Sequence, residues 1–571
     1  MDFKLEIAKL ISYAGNLNID DVFEVIEVPS NKNMGDYAYP CFKLAKLFKK
    51  SPQIIANDIF GKIIKKDFIN DIKVVGGYIN FFIEKSVYIK EVLEKVFEEN
   101  VNYGKSNLGK NKTIVIDYSS PNIAKPFHVG HLRSTVIGNS LYNIYKYLGY
   151  DCIGINHLGD WGTQFGKLIV AYKNWGSKEA IERDGIKELM NIYVKFHNES
   201  QNDKSLEDEA RSWFVKMQNQ DEEAINLWKW FYDISIKEFE RVYNMLGVKF
   251  DYYTGESFYN DKMDIVIEEL KDKNLLKKSE GALIVDLEEY KMTPCLILRK
   301  DGGTLYATRD IAAAMYRKKE YNFEKCLYLT ALDQNLHFAQ WFKVIEKMGY
   351  EWSNNLVHIP FGLVSLDTGK LSTRQGNVVL MEELLNQAIT ETNKIIDEKN
   401  PNLTNKKEIA KQVGIGAVIF NDLYNNRIKD VVFSWERMLN FDGETGPYVQ
   451  YTHARACSLI KKICNIDNIN INDINKDIDF SLLNDENSIE ICKLIEMYPH
   501  KILDSANKFE PSVLTRHIVD ISQAFNKFYH DNPIMNSEEK VKNARIALVY
   551  TVKIVIESGL KLLGISTPEQ M

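Results

Sequence analysis

Alternating apolar and polar blocks after about residue 112 predict a strand, a loop, a helix and a second strand. The β-branched run TIVIDY (113–118) suits a strand that is buried on both faces. Beyond a Ser/Pro/Asn loop, apolar residues recur at helical spacing from about His128 to Leu148, and CIGIN (152–156) has the pattern of another strand. Such a βαβ unit predicts a parallel sheet with a crossover helix.

The same patterns divide the chain into three parts. Residues 1–105 mix helical patterns with a strand-like end, VVGGYINFFIE (74–84), and predict an α+β domain. Residues 106–430 predict a doubly wound α/β domain with a helical insertion at about 165–280, after which strand-like runs return. Residues 431–571 predict an all-α helical bundle, in which the Asn/Asp/Ile-rich stretch 465–480 is expected to be a loop.

Composition narrows the class of protein without identifying it. At 571 residues the chain is too long for one hydrophobic core. No apolar run approaches the roughly 20 residues of a membrane span, and the N-terminus lacks the pattern of a secretory signal. The seven cysteines are scattered without a CxxC pair, which indicates a reduced, cytoplasmic protein without a cysteine-based metal site.

The net charge of −7 argues mildly against binding nucleic acid by bulk electrostatics, so any RNA contact needs a local patch. Lys43, Lys46 and Lys50 fall at helical spacing and are expected to share a face. Taken alone, this stretch is better explained as a solvated helix face.

The strongest local feature is SSPNIAKPFHVGH (119–131), which joins a buried strand to a helix N-terminus. Unpaired first-turn N–H groups and the helix dipole favour a phosphate there, and Gly130 permits close approach. His128 and His131 lie on one side of the turn, where they can donate hydrogen bonds to phosphate oxygens. Two capping histidines, or a metal pair whose third ligand is not apparent, are the alternatives.

A second candidate is DTGKLSTRQGNVV (367–379), a glycine-containing, cationic, hydroxyl-bearing loop. Such a loop can close over a triphosphate and stabilise departing pyrophosphate. A solvated surface turn would be the simpler interpretation if this stretch stood alone.

At 119–131 the sequence resembles the class I aminoacyl-tRNA synthetases, whose HIGH motif occupies this turn, and the fuller string resembles their arginine-specific branch. The resemblance extends over nearly the whole chain and implies a Rossmann-like catalytic domain. Further matching stretches are HLGDWGTQFGKL (157–168), LYATRD (305–310), LDQNLHFAQ (332–340), GKLSTRQGNVV (369–379), FDGETGPYVQYTHAR (441–455) and GLKLLGISTPEQM (559–571).

The resemblance also implies catalytic residues beside His128 and His131. Lys370, Leu371 and Ser372 match the start of the family's KMSKS loop, but Thr373 replaces its second lysine. The arginine branch shares this replacement, and an upstream lysine, here Lys125, is thought to compensate for it. Arg374 is the other candidate for that task.

Recognition of arginine requires acids and a flat surface, because a guanidinium is planar, always charged and rich in donors. Tyr306 and Asp310 are four residues apart, so on a helix both project from one side, although spacing alone favours a packed tyrosine and an exposed acid. The resemblance implies that arginine is bound by Asp117, Ser119, Asn122, Tyr306, Asp310 and Gln334. It implies that ATP is bound by Pro121, Phe127, His128, Val129, Gly130, His131 and His337.

Contacts with tRNA are expected at both ends of the chain. The resemblance implies a C-terminal anticodon-binding domain and an N-terminal domain that touches the tRNA elbow, where the lysine patch would fit. Aromatic residues such as Phe528 and Tyr529 can stack on anticodon bases, although taken alone they are more often core residues of a bundle.

The implied activity is ATP-dependent activation of L-arginine to arginyl-adenylate and its transfer to the 3′-terminal adenosine of tRNA(Arg), releasing AMP and pyrophosphate. Mg²⁺ is expected on the phosphates, with no metal held by the protein's own ligands, and the family resemblance implies a monomer. One alternative is a class I synthetase for cysteine, but the metal-ligand cysteines expected around its pocket are absent from the sequence. The others are an RNA-binding protein with a decayed catalytic site and an unrelated ATP-using ligase.

Overall fold

The computed structural model describes residues 2–29, 31–300, 306–366, 379–467 and 478–571. Within them the chain forms two compact units. The first unit comprises residues 1–103, 455–498 and 520–556, and the second comprises 104–454, 499–519 and 557–571. The three-part division along the sequence stays a prediction.

Strands and α-helices are numbered here separately, in chain order. The strands are β1 Tyr37–Pro40, β2 Ile69–Val75, β3 Tyr78–Ile83, β4 Thr113–Asp117, β5 Asp151–Asn156, β6 Tyr252–Tyr253, β7 Leu276–Ser279, β8 Ala282–Val285, β9 Cys295–Leu298, β10 Lys325–Ala331, β11 Leu356–Phe361, β12 Val364–Leu366 and β13 Val431–Phe433. The helices are α1 Phe3–Gly15, α2 Ile19–Val25, α3 Ala45–Phe48, α4 Pro52–Phe60, α5 Lys85–Glu99, α6 Leu132–Tyr147, α7 Thr163–Trp175, α8 Lys178–Asp184, α9 Ile186–Glu199, α10 Ser205–Gln218, α11 Glu222–Leu246, α12 Met263–Asp272, α13 Tyr306–Tyr321, α14 Asn335–Lys347, α15 Met381–Lys399, α16 Lys406–Tyr424, α17 Trp435–Met438, α18 Gly446–Asp467, α19 Glu486–Lys508, α20 Ser512–Asp531 and α21 Glu539–Leu562.

The first unit combines an antiparallel sheet in the order β1-β3-β2 with helices. Helix α1 begins at an Asp2 cap, whose carboxylate accepts a hydrogen bond from the Leu5 N–H, and buries one face at a spacing of three to four residues. Helical segments from the C-terminal part of the chain belong to the same unit. One example of their packing is the Tyr88 hydroxyl, which donates to the Glu496 carboxylate over 2.6 Å.

The second unit is built on a parallel sheet, whose order among the described strands is β11-β10-β4-β5-β6. Ile114, Val115 and Ile116 of the central strand β4 are fully buried, as the run TIVIDY predicts. From β4 the chain moves outward through β5 to β6, and later occupies the other side with β10 and β11. The direction therefore reverses between β4 and β10, and ligands of doubly wound sheets bind beyond the carboxyl ends of strands at such a point. The predicted α/β fold class is confirmed.

The predicted helical insertion is also confirmed. Helices α7 to α11 lie between β5 and β6 along the chain, and α12 follows β6. The antiparallel strands β7, β8 and β9 come next and form a sheet of their own. Among the helices of the described residues, none has the length and apolar character that crossing a membrane requires.

The predicted common helix face of Lys43, Lys46 and Lys50 is wrong. Lys43 lies in a short 3₁₀ turn, Lys46 lies in α3, and that helix ends at Phe48. Lys49 then adopts a left-handed backbone conformation with φ of 52°, so Lys50 points from a turn. All three lysines are nevertheless exposed. Lys50 is paired with Asp58, its Nζ lying 2.6 Å from the carboxylate.

Candidate active site

A cavity of about 740 Å³ opens at the carboxyl ends of β4, β5 and β10, beside the point where the strand order reverses. Five of the six predicted arginine-binding residues line it, together with His337, which sequence reasoning assigned to ATP. The full lining is Asp117, Ser120, Asn122, His157, Gly159, Glu256, Tyr306, Asp310, Ala313, Arg317, Tyr328, Thr330, Asp333, Gln334, Leu336, His337, Phe338 and Gln340.

One wall of the cavity comes from α13 and the start of α14. Tyr306 begins α13 and Asp310 lies one turn later, so both side chains reach the cavity as their spacing predicts. His337 on α14 faces them, with its Nε2 atom 2.5 Å from Asp310 Oδ2. One carboxylate oxygen of Asp310 is therefore engaged by the protein, and the other remains as an acceptor for a cationic ligand.

The cavity also contains a buried ion pair that sequence reasoning missed. Arg317, also on α13, places Nη2 2.8 Å from Asp117 Oδ2, with the arginine side chain 1% exposed. The Ser120 hydroxyl donates to Asp117 Oδ1 over 2.9 Å. Asp117 is thus already paired with a guanidinium of the protein itself, that of Arg317. The available signal was helical spacing, since Arg317 lies two turns beyond Asp310 on the same helix.

Glu256 is a third acid at the cavity and was also missed. Burial raises the pKa of its carboxyl to about 7, against the lowering effect of Arg309, whose Nη1 lies 3.5 Å away. Glu256 belongs to a 3₁₀ helix at residues 256–262, where no periodic pattern indicates which side chains point inward. Burial also lowers the pKa of His157, so this cavity residue is neutral near pH 7.

The Ser/Pro/Asn loop is bonded to the HLGDWG stretch (157–162) through its backbone. Gly159 donates its N–H to the Pro121 carbonyl and accepts from the Ile123 N–H, so that Asn122 is fixed at the cavity. A Cβ atom at Gly159 would lie 2.0 Å from Asn122 Oδ1, so only glycine fits at this position without displacing the Asn122 side chain.

Ser119 is the predicted arginine-binding residue that the structure does not bring to the cavity. Its side chain is buried, and its hydroxyl accepts from Thr135 Oγ1 and lies 2.8 Å from the Tyr243 hydroxyl. The backbone explains this placement, since Ser119 and Ser120 both have positive φ, 71° and 49°. This turn directs Ser120, not Ser119, toward the cavity.

The histidine turn begins as a 3₁₀ helix, Val129–His131, that leads into α6. His128 Nδ1 accepts the Gly130 N–H over 3.0 Å, and His131 Nδ1 accepts the His128 N–H over 3.2 Å. Burial, followed by the charge of Lys125, lowers the pKa of His128, and burial lowers that of His131 to about 3. Both rings are therefore neutral at pH 7 with Nδ1 occupied as an acceptor, so each carries its proton on Nε2 and presents an N–H donor.

Other predicted ATP-binding residues shape this turn from within. Phe127 and Val129 are buried, and the Phe127 ring stacks on His131 with centroids 4.9 Å apart. Their backbone groups bond the chain near residue 380: Val129 N–H donates to the Val379 carbonyl, and the Phe127 carbonyl accepts from the Met381 N–H. Pro121 is also buried, whereas Gly130 and Lys125 are exposed.

Four predicted catalytic residues, Lys370, Ser372, Thr373 and Arg374, lie outside the described residues. Among the residues that are described, no group of three or more His, Cys, Asp or Glu side chains is placed to hold a metal ion.

At the C-terminal end, the structure corrects the prediction for Phe528. This ring is 0% exposed because it faces the interior of its unit with Phe525, so it cannot stack on an RNA base. Its neighbour Tyr529 is 40% exposed, and the guanidinium of Arg455 lies 5.1 Å from its ring centroid.

Comparisons with known proteins agree along the whole chain. The family described as tRNA synthetases class I (R), catalytic domain, matches residues 92–435. The arginyl-tRNA synthetase N-terminal domain family matches residues 1–83, and the DALR anticodon binding domain family matches residues 449–571. Arginine–tRNA ligases of Alkaliphilus metalliredigens and Clostridioides difficile are 56% and 55% identical, each covering 100% of both chains.

Solved structures agree in fold. The arginyl-tRNA synthetase of Thermus thermophilus matches with a TM-score of 0.81 at 21% identity, covering 100% of both chains. That of Plasmodium falciparum matches with a TM-score of 0.78 at 26% identity, covering 99% of this chain and 98% of the other. The chain belongs to the arginyl-tRNA synthetase family, within class I of the aminoacyl-tRNA synthetases.

Proposed function

We propose that the protein is an arginine–tRNA ligase, which activates L-arginine with ATP and transfers it to the 3′-terminal adenosine of tRNA(Arg). The observation that carries this proposal is the cavity itself. Asp310, Glu256 and the Tyr306 ring line this cavity together with Asn122. The loop of Asn122 leads along the chain to a turn with two neutral imidazole N–H donors, His128 and His131, which do not themselves line the cavity. Carboxylates and an aromatic face suit a guanidinium, and uncharged donors suit phosphate oxygens.

The orientation of arginine follows from how far each carboxylate of the cavity is already engaged by the protein. Arg317 Nη2 and the Ser120 hydroxyl each engage one oxygen of the Asp117 carboxylate, so a second planar guanidinium would have to share both oxygens, whereas a compact ammonium group needs only one. We therefore assign the substrate guanidinium to the wall of Asp310 and Tyr306, with Gln334 and Glu256 nearby. Asp117 and Asn122 then receive the α-ammonium group. This leaves the α-carboxylate directed at the histidine turn.

The first step requires no protein nucleophile. A carboxylate oxygen of arginine bonds to the α-phosphorus of ATP while the bond to the bridging oxygen breaks, and pyrophosphate leaves with that electron pair. His128 and His131 stabilise the phosphate oxygens by donating from Nε2, and Lys125 supplies a positive charge from the adjoining loop. Lys370, Ser372, Thr373 and Arg374 remain proposals for the departing pyrophosphate.

In the second step a ribose hydroxyl of the terminal adenosine attacks the acyl carbon of the adenylate, and AMP leaves. The family resemblance favours the 2′-hydroxyl. Positioning and charge stabilisation account for both steps. Mg²⁺ supplies charge neutralisation of the triphosphate when bound. The described residues carry no three-ligand cluster, so it would be held through the phosphates and water, which is how Mg²⁺ usually binds nucleotides.

Selectivity against lysine follows from the same cavity. Lysine would leave several acceptors that face a planar guanidinium without partners, and unmatched buried polar groups can reject an analogue by about 10⁴-fold. A separate editing site is therefore unnecessary.

For tRNA, exposed Lys43, Lys46 and Lys50 and the exposed ring of Tyr529 remain candidate contacts. A cytoplasmic location is supported by the scattered cysteines, of which the buried Cys41, Cys152, Cys295, Cys326 and Cys492 form no disulfide. A monomer remains an expectation from the family resemblance.

Exchange of labelled pyrophosphate into ATP tests the proposed function, with each amino acid offered separately, with and without tRNA(Arg). We expect exchange with arginine alone among the amino acids. A His131→Ala variant serves as the control against contaminating activity and should lose it. Cysteine-dependent exchange would indicate the alternative substrate, and no exchange under any condition would indicate a decayed catalytic site.

A further inference from the structure

A buried ion pair lies at the start of α6, next to the histidine turn along the chain, and does not line the substrate cavity. Arg133 follows His131 by two residues, near the start of α6, and its side chain is 1% exposed. Its Nε atom lies 2.8 Å from Oδ1 of Asp422 on α16, which is 2% exposed. An ion pair so fully removed from water adds little net stability compared with apolar residues of the same size. Its presence therefore calls for a role other than stability.

The same guanidinium binds two backbone carbonyls from separate segments. Arg133 Nη1 donates to the Gly362 carbonyl over 3.1 Å and to the Lys429 carbonyl over 2.6 Å. The two segments also bond each other, since the Gly362 N–H donates to the Arg427 carbonyl over 2.8 Å. A planar guanidinium with donors in a fixed fork is suited to holding three partners at once. Arg133 thus joins α6, α16 and the segment that follows β11.

Gly362 lies between β11, which pairs with the cavity-lining strand β10, and the strand that follows. That strand, β12, pairs in parallel with β13, with Val364 opposite Val431. Beyond residue 378 the chain returns to the histidine turn, through the bonds of Val379 and Met381 described above. Two separate segments are therefore attached to the histidine turn and the start of α6. One attachment is made by backbone bonds to the turn, and the other by the Arg133 side chain.

We propose that Arg133 is a positioning residue for adenylate formation, which fixes the Gly362 segment relative to His128 and His131. This inference rests on the proposed function and deepens it. The histidine donors and an arginine bound in the cavity beside β10 must keep their separation, and a misplacement of about 1 Å can cost about 100-fold in rate. Arg133 is buried away from the cavity and touches no reacting atom. Its loss is therefore expected to lower kcat and to leave arginine binding nearly unchanged.

The test uses the full-length protein and arginine-dependent pyrophosphate exchange. Arg133→Met alone should lower Tm, because it leaves the Asp422 carboxylate buried without its partner. The double variant Arg133→Met/Asp422→Leu replaces the pair by apolar groups and should recover most of that Tm. Its kcat should nevertheless stay about 100-fold below wild type, as expected for misplaced reacting groups, with the arginine KM changed by less than about threefold. Recovery of kcat together with Tm, or a rise in KM as large as the fall in kcat, would overturn the proposal.

Arg133→Lys guards against a double variant that fails to fold. Lysine keeps a charge opposite Asp422 but lacks the fork that reaches both carbonyls, so we expect a Tm near wild type and a kcat about tenfold lower. Wild-type kcat in this variant would also overturn the proposal. Arg516→Met is the matched control, because Arg516 is exposed and donates to the Tyr424 carbonyl of the same helix α16. It should leave kcat unchanged. Absence of exchange in the wild-type protein would instead overturn the proposed function.

Discussion

Replacing Asp310 by asparagine keeps the shape of the side chain and removes its charge, so it isolates the proposed contact with the substrate guanidinium. Hydrogen bonds to charged groups contribute about 1.5–3 kcal/mol. Asp310 is 26% exposed and already shares one oxygen with His337, so the lower part of that range applies. A loss of about 1.5–2 kcal/mol corresponds to a roughly 10- to 30-fold weaker affinity for arginine.

Citrulline supplies the second arm of this test. It has the length of arginine but carries a neutral urea group, so it gains little from the charge of Asp310. Calorimetric titration of both ligands should show arginine binding weakened about 10- to 30-fold in Asp310→Asn, with citrulline changed much less.

Asp333→Asn is the matched control, because Asp333 lines the same cavity but is exposed. Its effect should stay below about 1 kcal/mol, as is usual for solvated ion pairs. Equal weakening of arginine and citrulline, or an equal loss in Asp333→Asn, would refute the assignment of the guanidinium to Asp310.

Three further predictions concern other residues of the site. Because burial raises the pKa of Glu256 to about 7, its carboxylate forms only as the pH rises through that value, so the arginine KM should fall between about pH 6 and 8. In Glu256→Gln the arginine KM should depend less on pH over the same range. Gly159→Ala should lower activity with little change in the far-UV circular dichroism spectrum, since the new methyl would displace Asn122, 2.0 Å away; wild-type activity would show that Asn122 is dispensable. Lys125→Ala should remove about 3 kcal/mol of transition-state stabilisation, which lowers the rate of arginine activation and leaves arginine affinity intact. An unchanged turnover would show that Lys125 has no part in catalysis.

The parts of the fold that sequence predicts well are those fixed by local pattern. The strand around Val115 is a continuous apolar run, and the helix after His131 repeats apolar residues at helical spacing, so the existence of both follows from the chain alone. The predicted common helix face of Lys43, Lys46 and Lys50 is wrong for a local reason as well. A short helix at Ala45–Phe48 ends in a left-handed residue, Lys49, which spacing between lysines does not reveal.

Pairs of side chains from distant parts of the sequence are harder to predict. The pairing of Asp117 with Arg317, and the presence of Glu256 at the same cavity, depend on how α13 and the insertion pack beside the sheet. No periodic pattern contains that information. Phe528 shows the intermediate case, because Phe525 and Phe528 share one helix face and could have been assigned to the interior from their spacing.

We propose that one cavity orients arginine between Asp310 and the histidine turn. A crystal structure of the protein with arginine and a non-hydrolysable ATP analogue measures this most directly. We expect the guanidinium to contact Asp310 and the α-carboxylate to point at the α-phosphate beside His128 and His131. A guanidinium bound against Asp117, or arginine bound outside this cavity, would contradict it.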